Sequence, residues 1–383
     1  MKILYACPLS QNDIERIRDT GTLSGDSFLL ELMAHEHSLG HEISIVTSLR
    51  GISRDISFGT NGITVEAVKL WKHGRLSALD GFRSDIKRIE HVIERHESDI
   101  YHAHWCYEYA AACLRHDLRH TVVTVHDFPD KVCPMVGNYY WKKRNKLGNE
   151  VLDLAGTMTA VSPYLGSLVR SLNDRVDIHV IPNFYDTGKI SQDHKGEEKT
   201  GFIIICVNNG FSIRKNMQTG MKAFARLHEE YPDTGLKLYG YGYERGGTAY
   251  KYAKDHGINT DGMEFFGEVS HDDIETAMRK ADVLLHPSIE ESFGMIYLEA
   301  MAAGLPIIAG KNAGATPWIL QNGGSGMLVD AESAGSVYEG LKRLYTDRDM
   351  MNELSANGKR RVMDFSSETV FEMYDGLYGS IEK

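Results

Sequence analysis

Basic surplus is absent from this chain. Against 42 Lys plus Arg it carries 53 Asp plus Glu, a formal net charge of −11 over 383 residues. Recognition of a phosphate polymer usually needs the opposite sign, so nucleic-acid binding is not expected. The deficit is uneven: residues 1–187 carry 21 basic and 24 acidic side chains (net −3), and residues 188–383 carry 21 and 29 (net −8). An anionic ligand must then be held by local geometry, not by the overall field. Cysteine is scarce and scattered. Cys7, Cys106, Cys113, Cys133 and Cys206 include no CxxC pair, and an odd, dispersed set reads as free thiols in a reducing compartment. Long apolar runs are also missing. The start, MKILYACPLS, is too short in apolar residues for a signal peptide, and the longest stretches, such as Phe202–Val207, are strand-length. Spanning a bilayer takes about 20 such residues. A soluble, cytoplasmic protein is expected.

What is present is ordinary for a globular chain: 42% hydrophobic and 25% charged residues, which excludes a disordered tail, a collagen-like fibre or a disulfide miniprotein. The length suits two domains better than one. Strand-like apolar runs alternate with amphipathic patterns from end to end. Lys2–Cys7, His41–Thr47, Thr121–His126, Met158–Val161 and His179–Pro182 read as strands, and Ser27–Leu39 as a helix stopped at Gly40. The segment FYDTGKISQDHKGEEKT, residues 184–200, is polar and aperiodic and reads as a linker. A second series follows: strands at Phe202–Val207, Leu236–Tyr239, Met263–Phe266, Val283–His286 and Pro306–Ala309, with a helix over Met217–Tyr231. This order predicts two α/β, doubly wound, Rossmann-like domains with parallel sheets, facing across a cleft. The expected divisions are 1–187, 188–365, and a C-terminal helix within 366–383 that either packs locally or crosses back to the first domain.

The most informative stretch is HPSIEESFGMIYLEAMAAGLPIIAG, His286 to Gly310. A strand feeds a loop, Gly294 opens a helix, and Gly304 stops it. Amides near Gly294, Met295 and Ile296 have no intrahelical partner, and with the helix dipole they form an anion site suited to a diphosphate. Glu291 sits just before that helix and Glu299 inside it. One carboxylate can face the loop side of a ligand; the other can accept paired hydrogen bonds from a vicinal diol such as ribose.

Glu291 and Glu299, in the string ESFG…EAMAAGLP, resemble the E-x7-E motif of glycosyltransferase family 4. ILYACPL, IYHAHW, TVVTVHDF, TAVSPYL and VIPNFYD fall in the family's order in the first half; KLYGYG, FFGEV, ADVLLHPS and NGGSGMLVD do so in the second. The resemblance implies the GT-B fold and transfer of a sugar, with retention, from a nucleotide-sugar to an acceptor hydroxyl. A UDP-sugar is favoured over a GDP-sugar, and neither a cofactor nor a metal is required. It implies that Glu299 holds the ribose and Glu291 lies by the donor sugar, with Ser292, Phe293 and Gly294 shaping sugar and phosphate contacts. VNNGFSIRKNMQTG resembles the family's phosphate loop, with Lys215 matching its lysine. Asn208 and Asn209 replace the usual Gly-Arg pair, so Arg214 is the candidate guanidinium, against the reading that Arg214 and Lys215 form a solvated turn. Gly242 resembles the turn that approaches the nucleotide; Gly267, Glu268 and Val269 resemble the segment whose backbone receives the base. Gly25 matches the glycine loop of the first domain, with Gly21 a competitor and Asp26 a helix cap.

His126 ends a strand. Alone it reads as a hydrogen-bonded strand-end histidine; the resemblance implies a place beside the donor sugar. His102 and His104 form an HxH without a third ligand, so no metal is expected. Thr316 and Pro317 read as the cap and first residue of a helix. The acceptor stays open among glycan, glycolipid and small molecule. Two aromatic and basic stretches, 69–75 with Phe82, Arg83, Lys87 and Arg88, and 139–146, read as solvated faces or as a peripheral contact with the inner membrane face. The rival functions are a sugar-nucleotide epimerase, which needs its own acid–base set, and a non-catalytic sugar-nucleotide-binding partner.

Overall fold

The computed structural model describes residues 1–25, 27–186, 188 and 201–381. The cap expected at Asp26 and most of the polar segment 184–200 lie outside the described residues. The chain divides into two compact units, Met1–Pro182 with Val370–Lys383, and Asn183–Thr369.

The first unit is an eight-stranded sheet. Its strands are β1 (Lys2–Ala6), β2 (Glu42–Arg50), β3 (Ile56–Thr60), β4 (Ile63–Leu70), β5 (Ile100–His104), β6 (Thr121–Val125), β7 (Thr157–Ala160) and β8 (Asp177–Val180), in spatial order β3-β4-β2-β1-β5-β6-β7-β8. Every described pair is parallel except β3 with β4, so the expected all-parallel sheet has an antiparallel edge. Asn61 and Gly62, both at positive φ, make the tight turn that permits it. A helix over Gln11–Thr20, not expected from the sequence, follows β1. Ser10 and Asp13 close a capping box at its start, and Gly21, at φ +67°, ends it. Gly21 is therefore a helix stop.

From Val370 onward, the last helix (Ser367–Ile381) belongs to this first unit. Its Val370, Tyr374, Leu377 and Tyr378 are buried, and Tyr378 Oη meets Tyr5 Oη at 3.1 Å and His102 Nδ1 at 2.6 Å.

The second unit has β9 (Phe202–Val207), β10 (Thr234–Tyr239), β11 (Met263–Gly267), β12 (Val283–His286), β13 (Ile307–Gly310) and β14 (Met327–Val329), ordered β11-β10-β9-β12-β13-β14 and parallel throughout. The near-continuous apolar runs of β9 and β12 follow from burial on both faces. Strand order reverses between β9 and β12. Ligands of open α/β sheets sit beyond the carboxyl ends of such a pair.

Candidate active site

Two loops leave that switch point. One follows β9 through Asn208 to Asn216; the other follows β12 from Pro287 to Phe293. They are tied together along the main chain. The carbonyl of Arg214 accepts from Ile289 N–H at 2.9 Å and from Ser288 Oγ at 3.0 Å. Asn216 donates from Nδ2 to the carbonyls of Pro287 (3.1 Å) and Ala331 (2.7 Å). Asn216 does this at φ +49°, a conformation that asparagine tolerates better than most residues.

The ties set Lys215 against Glu291, with Nζ 2.5 Å from Oε1. His286, the last residue of β12, reaches the same oxygen with Nε2 at 2.8 Å. Glu291 is 4% exposed and His286 1%. Burial pushes the Glu291 carboxyl up, but the Lys215 charge, the His286 hydrogen bond and the Arg214 charge together hold it well below the usual range. Burial lowers the His286 pKa and the Lys215 charge lowers it further, against the Glu291 hydrogen bond and charge, which raise it. The net downward shift favours the neutral ring. Since the carboxylate only accepts, the ring proton sits on Nε2. The sequence reading missed His286; its signal was a strand-end histidine five residues before Glu291.

Gly294, at φ +89°, immediately precedes the helix Met295–Ala302. The first N–H groups of such a helix lack intrahelical acceptors. Ser292, Met295 and Ile296 are half-buried beside them. Glu299 lies further along that helix and is half-exposed; burial and the neighbouring Glu275 raise its pKa, against His271. Phe293 is 3% exposed, and its ring packs edge-on against Trp318 and Phe365. Thr316 begins a short helix without capping it; its Oγ1 instead meets Tyr297 Oη at 3.0 Å.

The remaining donor-side residues divide. Asn208 is buried, with Nδ2 toward Cys206 Sγ and Tyr243 Oη, while Asn209 is exposed. Arg214 is half-buried and acts on Glu291 and His286 by charge. Gly242 (φ +82°) and Gly267 (φ +77°) hold backbone turns. The turns are joined where Gly240 N–H donates to the Gly267 carbonyl at 2.7 Å and Gly267 N–H to the Tyr243 carbonyl at 3.2 Å. The closest main-chain approach belongs to Gly240, where a Cβ would lie 1.8 Å from the Asn208 carbonyl oxygen. Glu268 and Val269 are exposed beyond that turn.

In the first unit, His126 follows β6 and places Nε2 3.0 Å from His104 Nδ1, with the Trp105 ring centroid 4.3 Å away. Trp105 holds φ +66°, a rare conformation for a bulky residue and often a mark of function. His102 is satisfied on both nitrogens, by Tyr378 Oη and by Thr124 Oγ1, each at 2.6 Å. At Gly25 a Cβ would lie 2.2 Å from Asp13 Oδ1 and 2.5 Å from Leu30 Cδ1, so the bare position permits the close approach of those side chains.

Burial lowers the His126 pKa to about 3. An unfolded histidine titrates near 6.5. Its contribution to stability is therefore complete above about pH 6.5 and falls as pH drops toward the folded value. Urea unfolding is expected to show a smaller loss of stability between pH 7 and pH 5 in His126→Gln than in wild type. Equal losses would contradict the neutral ring.

The second unit matches the family model for glycosyl transferases group 1 over residues 189–361, and the first matches the model for glycosyltransferase family 4 over residues 26–189. N-acetyl-alpha-D-glucosaminyl L-malate synthase of Bacillus anthracis is 26% identical over 365 residues, 88% of this chain and 89% of that one. A lipopolysaccharide core biosynthesis glycosyltransferase of Rhizobium meliloti is 27% identical over 222 residues, which is 57% of this chain and 63% of the relative. Among solved structures, sucrose-phosphate synthase of Thermosynechococcus elongatus superposes with a TM-score of 0.77 at 16% identity, covering 100% of this chain and 99% of that one. Anabaena HepE in complex with UDP-glucose gives 0.71 at 17% identity, covering 99% and 100%. The order of the two sheets, the Lys215–Glu291 pairing at the switch point and these matches agree: the chain belongs to glycosyltransferase family 4 and has the GT-B fold.

Proposed function

We propose that the chain transfers a glycosyl group, with retention, from a nucleoside-diphosphate sugar to an acceptor hydroxyl in glycan or glycolipid biosynthesis. The observation that carries this is the convergence of Lys215, Glu291 and the start of the helix Met295–Ala302 at the β9/β12 switch point. The diphosphate is assigned to the unpaired N–H groups near Gly294–Ile296 and to the Lys215 ammonium, and the ribose hydroxyls to Glu299. In the reaction the anomeric C–O bond to the diphosphate breaks and a bond to the acceptor oxygen forms on the same face. The acceptor proton passes to the leaving phosphate. Lys215 and the helix start stabilise the charge that develops there, so the reading requires no metal. Glu291 is the polar group by the sugar, and His126 is assigned to the sugar-proximal part of the first unit, which is assigned the acceptor.

A UDP-sugar is favoured, supported by the fold shared with a structure holding UDP-glucose; a GDP-sugar is the alternative, because backbone recognition near Gly267 discriminates bases weakly. A thermal-shift panel of UDP-, GDP- and ADP-sugars tests this. Stabilisation by UDP-sugars above the others is expected, and no shift with any of them would contradict a donor site.

A peripheral membrane contact is assigned to the first unit. Among the described residues, no helix is long and apolar enough to cross a membrane. Trp71, Leu76, Leu79 and Tyr139 are exposed apolar side chains, accompanied by exposed Lys72 and Arg75. Apolar side chains beside cations suit an anionic lipid surface. The protein is expected to float with phosphatidylglycerol vesicles at low salt, and Trp71→Ser with Leu79→Ser is expected to abolish this. Wild-type protein that stays at the bottom of the gradient would remove the contact.

A further inference from the structure

The donor reading makes two demands on Lys215. Its ammonium is engaged by Glu291 Oε1 at 2.5 Å, yet it must also face a diphosphate. A buried carboxylate that loses its cation is strongly disfavoured, so another group has to hold Glu291 when Lys215 turns. His286 is placed to do so. Its Nε2 lies 2.8 Å from the same oxygen, leaving Oε2 free of both bonds. The ring is fixed at the end of β12, edge-on to Tyr297 at a centroid distance of 5.2 Å. Its Nδ1 is buried and has no hydrogen-bond partner among the described residues, so within them the ring has one polar contact, the N–H directed at Glu291.

We propose that His286 is a positioning residue: it anchors Oε1 of Glu291, which lets Lys215 leave the carboxylate for the donor diphosphate while Oε2 stays presented to the sugar. The proposal rests on the donor-site reading above. It assigns no proton transfer to His286. The ring accepts and gives up nothing; it keeps a carboxylate ionised and in place while that carboxylate's cation is shared.

Calorimetry with UDP and GDP tests it in four variants. His286→Leu is expected to weaken binding of the preferred nucleotide about tenfold, a loss in the range of one hydrogen bond to a charged group, because among the described residues Lys215 is then the one side chain hydrogen-bonded to the Glu291 carboxylate. His286→Gln, whose amide nitrogen can reach the Nε2 position, is expected to restore most of that loss. In a Glu291→Gln background Lys215 is already released, so adding His286→Leu should change the affinity little. Equal affinities for wild type and His286→Leu would overturn the proposal. So would an undiminished loss in the Glu291→Gln background, or a His286→Gln variant no better than His286→Leu, since both mean that the ring acts through packing alone. Nitrogen-15 histidine NMR of the wild type reads the same claim without a substitution: the His286 proton should reside on Nε2 and its signal should move when UDP or GDP is added. A proton on Nδ1, or an unmoved signal at saturation, would overturn it. Failure of the donor reading is recognisable separately, as wild-type protein that binds neither nucleotide.

Discussion

Replacing Lys215 with alanine is expected to lower kcat by about 10²–10³-fold, the usual effect of removing one preorganised group that stabilises developing charge. The ammonium would meet charge that grows on the diphosphate as the anomeric bond breaks, so its loss should fall on kcat more than on KM. The pH profile supplies a second signature. In wild type the Lys215 charge is the largest influence holding the Glu291 carboxyl low against burial. Without it burial is opposed only by His286 and Arg214, the carboxyl pKa rises, and the ionised form is lost at higher pH. The acid limb of kcat/KM should accordingly move upward in Lys215→Ala. Breaking a buried ion pair also costs stability, although His286 and Arg214 still face Glu291, and thermal melts separate that cost from lost catalysis. Wild-type turnover by a folded Lys215→Ala protein would remove Lys215 from the site.

Glu299→Ala is expected to weaken binding of the nucleoside diphosphate by roughly 1.5–3 kcal/mol, the range for hydrogen bonds to a charged group, or about 10- to 150-fold in Kd. The Glu299 pKa is raised, by burial first and then by Glu275. Nucleotide affinity in wild type should therefore begin to fall on acidification earlier than an ordinary glutamate would dictate, and Glu299→Ala should lack that fall. Calorimetry at several pH values checks both points, and unchanged affinity in the folded variant would contradict the ribose assignment.

The elements that carry this site were legible because their chemistry is local. Phe202–Val207 and Val283–His286 occupy the spans expected of them, since strands buried on both faces are unbroken apolar runs. The helix between Gly294 and Gly304 was legible from its glycine punctuation. The helix Gln11–Thr20 was not, because it buries little apolar surface beyond Ile14 and Ile17 and is announced mainly by Ser10 and Asp13. The antiparallel edge was announced by Asn61-Gly62 alone. Residue roles that depend on contacts distant in sequence were hardest. Lys215 and Glu291 are 76 positions apart, and the loop ties through Arg214 and Asn216 that bring them together leave no periodic trace. The neighbours of Phe293 and Gly25, Trp318 and Phe365 for one and Asp13 for the other, lie outside the motifs that single these two residues out, so the motifs do not show them.

A crystal structure with UDP or GDP at saturating concentration tests the central claim most directly. The account predicts the two phosphates against the main-chain N–H groups of Gly294–Ile296 with Lys215 Nζ in contact, and the ribose hydroxyls paired with the Glu299 carboxylate. A nucleotide bound away from the ends of β9 and β12, or one whose ribose leaves Glu299 untouched, would contradict it.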